Sequence, residues 1–335
     1  MKKILIVGYG SIGSRHLNLL RMLIPDADIR IYRHKNYDFI PEGADGVYYD
    51  FSQAIKFKPD FAVISNPSIF HIPISIELAK NNINMIIEKP LSNSLDRIKE
   101  LQTLVSTNSV KVMLGYNLRF YASLIKFRSI LIDGYIGKIY SVDCCSSSYL
   151  PNWRTNINYK DSVSAQSNLG GGVLLELSHE IDYLRWIFGN FNCVQSHVAT
   201  LSNLDLDVED SVNALINATN INGDEIFITL NINFINPHNR RYCSVTGSKG
   251  TLIWDGLNNT INFYPLNNNN NNNKYINLYD VKFNKNDSYV NELQHFLECL
   301  DQNKEPLISI EDGIQVLKII EALKKSSIEK KAVYL

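Results

Sequence analysis

Six residues near the start of the chain restrict its fold more than any other feature. Gly8-Tyr9-Gly10-Ser11-Ile12-Gly13 is a G-x-G-x-x-G run. A short apolar, β-branched stretch, residues 3–7, precedes it. A helical stretch follows, with Leu17, Leu20, Leu23 and Ile24 on one face. The run is a weak signal in isolation; a strand before it and a helix after it make it specific. Gly8 permits the tight turn, Gly10 lets the backbone approach a pyrophosphate, and Gly13 lets the helix pack against the strand. Ser11 and Ile12 then lie at the helix N-terminus, where a pyrophosphate is held.

The rest of the first 118 residues agrees with that reading. Short apolar runs at 28–32, 61–65, 85–87 and 110–114 alternate with helical stretches at 14–24, 73–81 and 95–105. Such alternation predicts a doubly wound parallel sheet, a Rossmann-type domain over residues 1–118. The pattern then changes. Helices are expected at 121–132, 173–188, 288–300 and 310–326. Strands are expected at 138–147, 211–217, 225–235, 241–246 and 250–254, the last two joined by a turn at 247–250. Runs of adjacent strands imply an open, mostly antiparallel sheet, so residues 119–335 read as an α+β domain and the whole chain as α/β. The asparagine run 267–273 reads as a slack loop between two strands. Residues 225–235 alternate over an unusually long span, and their second face carries Phe227 and Thr229. That face suits an oligomer contact, a homodimer or homotetramer.

Composition narrows the partners. The 335 residues hold 33 Lys plus Arg against 34 Asp plus Glu, a net charge of −1. A nucleic-acid or anionic-membrane binder would carry a basic surplus. No apolar run is long enough to span a membrane, and the run 4–7 is too short for a signal core. A cytoplasmic protein is expected. The five cysteines show neither metal nor disulfide spacing, so they read as reduced, packed thiols, and no metal is expected.

Cofactor choice in such a fold is read at the end of the second strand. An acid there holds a ribose 2′-hydroxyl. Here the sequence is Tyr32-Arg33-His34-Lys35, with no acid before Asp38. Arg33 and His34 suit a 2′-phosphate, so NADP(H) is expected in slight preference to NAD(H). Ligands of open α/β sheets bind at the carboxyl ends of strands. Three more strands end in polar groups: Ser65-Asn66-Pro67, Glu88-Lys89-Pro90 and Gly115-Tyr116-Asn117. A lysine so placed, Lys89, is the foremost catalytic candidate.

These residues together resemble a known family. The glycine run, Ser65-Asn66-Pro67 with His71, and above all Glu88-Lys89-Pro90 look like the glucose–fructose oxidoreductase/inositol dehydrogenase/MocA (Gfo/Idh/MocA) family. Gly170-Gly171-Gly172 followed by His179-Glu180-Ile181-Asp182 and Trp186 resembles that family's active-site helix. The resemblance covers nearly the whole chain. It implies an NAD(P)-dependent oxidoreductase acting on a hydroxyl or keto group of a sugar or sugar derivative. It implies a cofactor site of Ser65, Asn66, Pro67, His71, Glu88, Lys89 and Asn117, joined by Trp153 and Arg154 at the nicotinamide half. Lys89 and His179 are the implied catalytic pair. Tyr116, Arg119, Tyr149, Asn168 and Glu176 join them as substrate-site candidates, Arg119 suiting an anionic substrate. The strings 115–120, 149–154 and 176–182 resemble a branch found among surface-glycan and nonulosonic-acid biosynthesis proteins, which implies a substrate such as a nucleotide-activated sugar.

One position departs from the family pattern. An Asp often lies four residues before the helix His; here that residue is Leu175, and Glu176 lies three before. On one continuous helix both positions share a face. Either Glu176 replaces the acid or His179 works with Lys89 alone. Other readings are a dinucleotide-binding regulator without turnover, a scaffold with a structural cofactor, and an aldose or imine reductase. An intact Lys89 and His179 favour the enzyme, because a sensor needs no proton relay.

Overall fold

The apolar runs at the start of the chain become strands buried on both faces. The computed structural model describes residues 1–35, 39–154, 157–220, 222–266, 275–282 and 284–335. The asparagine run 267–273 lies outside the described residues. Two compact units form: residues 1–117 with 289–317, and residues 118–288 with 318–335.

The first unit holds a six-stranded parallel sheet. Its strands are β1 (Lys3–Val7), β2 (Asp28–Tyr32), β3 (Gly46–Tyr48), β4 (Phe61–Ile64), β5 (Asn84–Glu88) and β6 (Val112–Gly115), in the order β3-β2-β1-β4-β5-β6. Ile4, Leu5, Ile6, Phe61, Val63, Ile86 and Ile87 have no solvent exposure, as parallel strands covered on both sides require. Helices α1 (Ser11–Leu23), α2 (Phe51–Lys56), α3 (His71–Lys80) and α4 (Ile98–Thr107) make the crossovers. The strand order reverses between β1 and β4. That reversal is the switch point where such sheets open a crevice for ligands. Residues 289–317 close the same core: Phe296 packs edge-on against Phe61 at 5.6 Å, and the Leu114 N–H donates to Ile308 O.

The second unit begins with α5 (Ala122–Ile132) and β7 (Ile139–Tyr149). Then come α6 (Val173–Glu176), α7 (Ser178–Phe188), β8 (Asn190–Ala199), β9 (Ser211–Thr219) and β10 (Glu225–Asn233). The strands β11 (Ile235–Gly247), β12 (Gly250–Asp255), β13 (Thr260–Pro265) and β14 (Ile276–Asp280) follow. Helices α8 (Asp287–Asp301) and α9 (Ile310–Glu329), and β15 (Val333–Tyr334), complete the chain. Among the described residues, nine strands make one mixed sheet, in which β7 and β10 run parallel and the other neighbours antiparallel. Alternation along β10 turns Ile226, Ile228, Leu230 and Ile232 inward and leaves Glu225, Phe227 and Thr229 outward. On the inner face Trp254 is fully buried against Tyr121, Phe127 and Tyr183. Its indole N–H donates to Ser123 Oγ at 2.8 Å. Each large side chain so buried stabilises the unit by roughly 1.5–3 kcal/mol.

The helix expected over 173–188 is two helices. Val173, Leu174, Leu175 and Leu177 are all buried. On one straight helix Val173, Leu174 and Leu177 would share a face with Ile181, Leu184 and Phe188, whereas Leu175 would lie roughly 100° outside it. The chain breaks at Leu177, with φ −98° and ψ 26°, and restarts as α7 with Ile181, Leu184 and Phe188 inward.

Candidate active site

In the first unit the site is built around the turn after β1. Gly8 has φ +92°, and a Cβ there would stand 2.8 Å from Asn66 N, so only glycine fits. A Cβ on Gly13 would run into Gly8 O, and Ser65 Oγ lies 3.1 Å from the carbonyl oxygens of Val7 and Gly8. Gly10 is different. It caps α1 in extended backbone, with no side-chain cap bond and no acid in the first turn. A Cβ built on it meets nothing within 4 Å. The helix N-terminus behind Ser11 and Ile12 therefore faces open space with its N–H groups unclaimed by a cap. That is the cradle a pyrophosphate needs. Asn66 Oδ1, at the adjoining strand end, is buried with no hydrogen-bond partner among the described residues. These residues fit a dinucleotide.

His71 sits at the start of α3 and is 1% exposed. Its Nε2 lies 2.8 Å from Asn66 O and its Nδ1 2.9 Å from Pro90 O. The ring therefore ties the Ser65-Asn66-Pro67 turn to the Lys89-Pro90 turn. Burial lowers its pKa from the usual 6.5, against the pull of the two carbonyls. A neutral ring donates to only one of those carbonyls at a time.

Lys89 is half-buried at the carboxyl end of β5, two strands from β1. Glu88 precedes it. Its carboxylate is buried against His16 Nε2 at 2.6 Å, and its second oxygen accepts the Lys89 N–H at 3.2 Å. Tyr116 is fully buried and Asn117 nearly so. Arg33 is 6% exposed. Its guanidinium donates to Phe39 O and Tyr49 Oη and stacks on both rings. A grip on a 2′-phosphate would require it to leave those partners, so the main support for NADP(H) preference is removed. His34 and Lys35 are the exposed basic groups there. Asp38 lies outside the described residues.

In the second unit, α7 carries His179, half-buried in its first turn. The two acids that follow it in the chain anchor the helix. Glu180 is fully buried, with Arg241 Nε 2.8 Å from its Oε1. Asp182 is held in a fork by Arg119: Nε to Oδ2 at 2.9 Å and Nη2 to Oδ1 at 2.6 Å. Arg119 is therefore charge-matched inside the protein rather than open to an anion. Nothing in the sequence marked these pairings. Glu176 ends α6, before the break, so it does not share a helix with His179. Trp153 turns inward, its indole N–H on Ser148 Oγ at 2.7 Å and its ring edge-on to Phe234. Arg154 is exposed. Both line a small cavity with Leu150, Ile157, Tyr159, Ser162 and Ser164. Tyr149 ends β7 half-buried, and Asn168 is exposed in the loop before the glycine run. Burial pushes the Cys144 thiol well up, beside Tyr183 Oη at 3.0 Å, so it is chemically quiet.

Comparison with known proteins bears on both units. Residues 2–116 match a family model described as an oxidoreductase family, NAD-binding Rossmann fold. Residues 128–335 match its C-terminal alpha/beta domain. The chain is 24% identical to a myo-inositol 2-dehydrogenase of Thermotoga maritima, over 98% of this chain and 97% of that protein. A levoglucosan dehydrogenase, solved with NADH and levoglucosan, superposes with a TM-score of 0.84 at 19% identity, covering 100% of this chain and 99% of that one. The WlbA dehydrogenase from Bordetella pertussis, solved with NADH and UDP-GlcNAcA, superposes with a TM-score of 0.80 at 19% identity, covering 100% and 98%. At such identities the likeness to these structures carries the fold.

Proposed function

We infer the function from one premise: the chain belongs to the Gfo/Idh/MocA family of oxidoreductases, with an NAD-binding Rossmann domain. It interconverts a hydroxyl and the corresponding carbonyl of a sugar or sugar derivative, with NAD(H) or NADP(H) as the redox partner. The observation that carries this reading is the open cradle at Gly10 in the same sheet that ends in Lys89.

A bound nicotinamide would supply the hydride chemistry. The chain's residues bind and move the proton. The backbone at Gly10, Ser11 and Ile12 would hold the pyrophosphate, and Asn66 would offer the cofactor its Oδ1, which has no partner among the described residues. Lys89 gives and takes the proton of the reacting hydroxyl, and His179 is the second proton carrier. Glu180 and Asp182, each paired with an arginine, hold the helix on which His179 sits. Tyr149 and Asn168 are the proposed substrate contacts. Relatives named for myo-inositol and levoglucosan, and the UDP-GlcNAcA in the WlbA structure, support a polyhydroxylated ring, including a nucleotide-activated one, as substrate. A role in surface-glycan synthesis rests on the resemblance carried by residues 115–120, 149–154 and 176–182.

The test is a binding titration with NAD(H) and NADP(H), followed by turnover on inositols, anhydrosugars, sugar nucleotides and nonulosonic acids. Tight cofactor binding with turnover on one class supports the proposal. Cofactor that binds but never changes redox state on any of them favours a dinucleotide-binding regulator.

A further inference from the structure

Three side chains converge beneath the end of β5 in the first unit. His16 is on α1, Glu88 on β5 and Glu292 on α8, all buried. One donor or acceptor atom from each lies within 4.8 Å of the others. His16 Nε2 bonds to Glu88 Oε1 at 2.6 Å. Glu88 Oε2 accepts the backbone N–H of Lys89 at 3.2 Å. Gly115, opposite Glu88 in the strand register, leaves the room: a Cβ there would sit 2.9 Å from Glu88 Oε2. Glu292 has no exposure, and neither of its carboxyl oxygens has a partner among the described residues.

Two ionised carboxylates cannot share so small a buried space. We propose that Glu292 is a neutral carboxylic acid that donates its proton to Glu88, and that it and His16 together fix the Glu88 carboxylate where it holds the Lys89 backbone. Glu292 is thus a positioning residue for Lys89. Burial and the nearby Glu88 charge both push its pKa well up. Among the described residues, the charge that acts on Glu292 is that of Glu88. Tyr289, from α8, is edge-on to His16, and burial pushes its phenol pKa up; Arg15, from α1, lies over the Tyr289 ring. Three such donors also suit a divalent cation, but the short His16–Glu88 bond already sets two of them against each other, and a proton on Glu292 resolves the same charge conflict.

The link from this cluster to turnover rests on the proposed function; the protonation of Glu292 does not. The test has a spectroscopic and a kinetic arm, both on the full chain. Infrared difference spectra of wild type against Glu292→Gln are expected to show a neutral carboxylic-acid C=O stretch that the variant loses, at a pH where surface glutamates are ionised. Glutamine can still donate to Glu88, so Glu292→Gln is expected to hold kcat within about twofold, whereas Glu292→Leu lowers it about tenfold with cofactor KM unchanged. The alkaline decline of kcat that follows Glu292 deprotonation is expected to disappear in Glu292→Gln. Absence of the acid band overturns the proposal even if no substrate turns over. So does equal kcat in Glu292→Leu and wild type, or a stoichiometric metal in the purified protein that chelators remove.

Discussion

His71 Nδ1 lies 2.9 Å from the carbonyl oxygen of Pro90, the residue that follows Lys89. The other ring nitrogen reaches Asn66 O, so one side chain registers two strand-end turns. The proposed cofactor and proton-transfer residues of the first unit, Asn66 and Lys89, stand on those turns.

The charge state of this ring makes stability depend on pH. Burial lowers the folded pKa of His71 below about 6.5, so the unfolded chain takes up the proton first. The contribution is fully present above about 6.5 and is lost as the pH falls from there toward the folded pKa. Thermal melts from neutral to mildly acidic pH are expected to show falling stability, with a shallower slope in His71→Gln. The ring's own titration by NMR is expected below about 6.5. Equal slopes and an ordinary midpoint would remove His71 from the account.

Gly8 and Gly10 are expected to respond in opposite ways to a side chain. At Gly8, φ is positive and Asn66 is close, so Gly8→Ala costs folding stability, roughly 1–3 kcal/mol from backbone strain alone. At Gly10 the backbone is ordinary and the space is open. Gly10→Val is expected to melt like wild type and to lose dinucleotide binding by calorimetric titration. Unchanged affinity in Gly10→Val would mean that the pyrophosphate lies elsewhere.

Arg33 tests cofactor choice. Its guanidinium already bonds Phe39 O and Tyr49 Oη. Arg33→Ala is therefore expected to weaken NAD(H) and NADP(H) by similar factors, through loss of order in the residues it holds. A loss confined to NADP(H) would show that the side chain leaves those partners for a 2′-phosphate, and would restore the preference read from the sequence.

The outer face of the nine-stranded sheet bears on assembly. Leu215 on β9 and Phe227 on β10 are 60% and 57% exposed, and the register places them on neighbouring rows beside Thr229 and Asn217. A long, partly apolar sheet face is expected to pair with a second copy. Light scattering at micromolar concentration is expected to give a dimer or tetramer, and Phe227→Asp a smaller species with the fold retained. A wild-type monomer would contradict this.

Residues 1–117 were legible because their signals are local, whereas the return of residues 289–317 to the same unit was not, since the sequence reading placed them in the second domain. Buried parallel strands read as unbroken apolar runs, and the glycines at 8, 10 and 13 mark a turn by backbone geometry alone. The inward face of β10 was likewise plain from its period of two. What the sequence concealed is long-range. The pairings His16–Glu88, Arg119–Asp182 and Glu180–Arg241 join residues distant along the chain, and no local pattern announces a partner. Arg33 read as a 2′-phosphate ligand because nothing local announces that its acceptors are Phe39 O and Tyr49 Oη. The break at Leu177 was hidden because Val173, Leu174, Leu177, Ile181, Leu184 and Phe188 fit one face of a continuous helix, so their spacing announces no interruption.

That break decides the last prediction, on proton transfer. Lys89→Met removes the proposed acid–base group and is expected to lower turnover roughly a hundredfold or more while cofactor still binds. His179→Ala is expected to show a comparable or smaller loss. Glu176 is where the family pattern and this chain part. Had 173–188 been one helix, Glu176 would share a face with His179. Instead α6 ends at Glu176, Leu177 leaves helical geometry, and His179 belongs to the next helix. A carboxylate that must meet a proton-carrying ring tolerates little displacement. Glu176→Gln is therefore expected to leave the pH–rate profile where it was, with the relay resting on Lys89 and His179. A shifted profile in Glu176→Gln, with cofactor affinity unchanged, would place Glu176 in the relay despite the break.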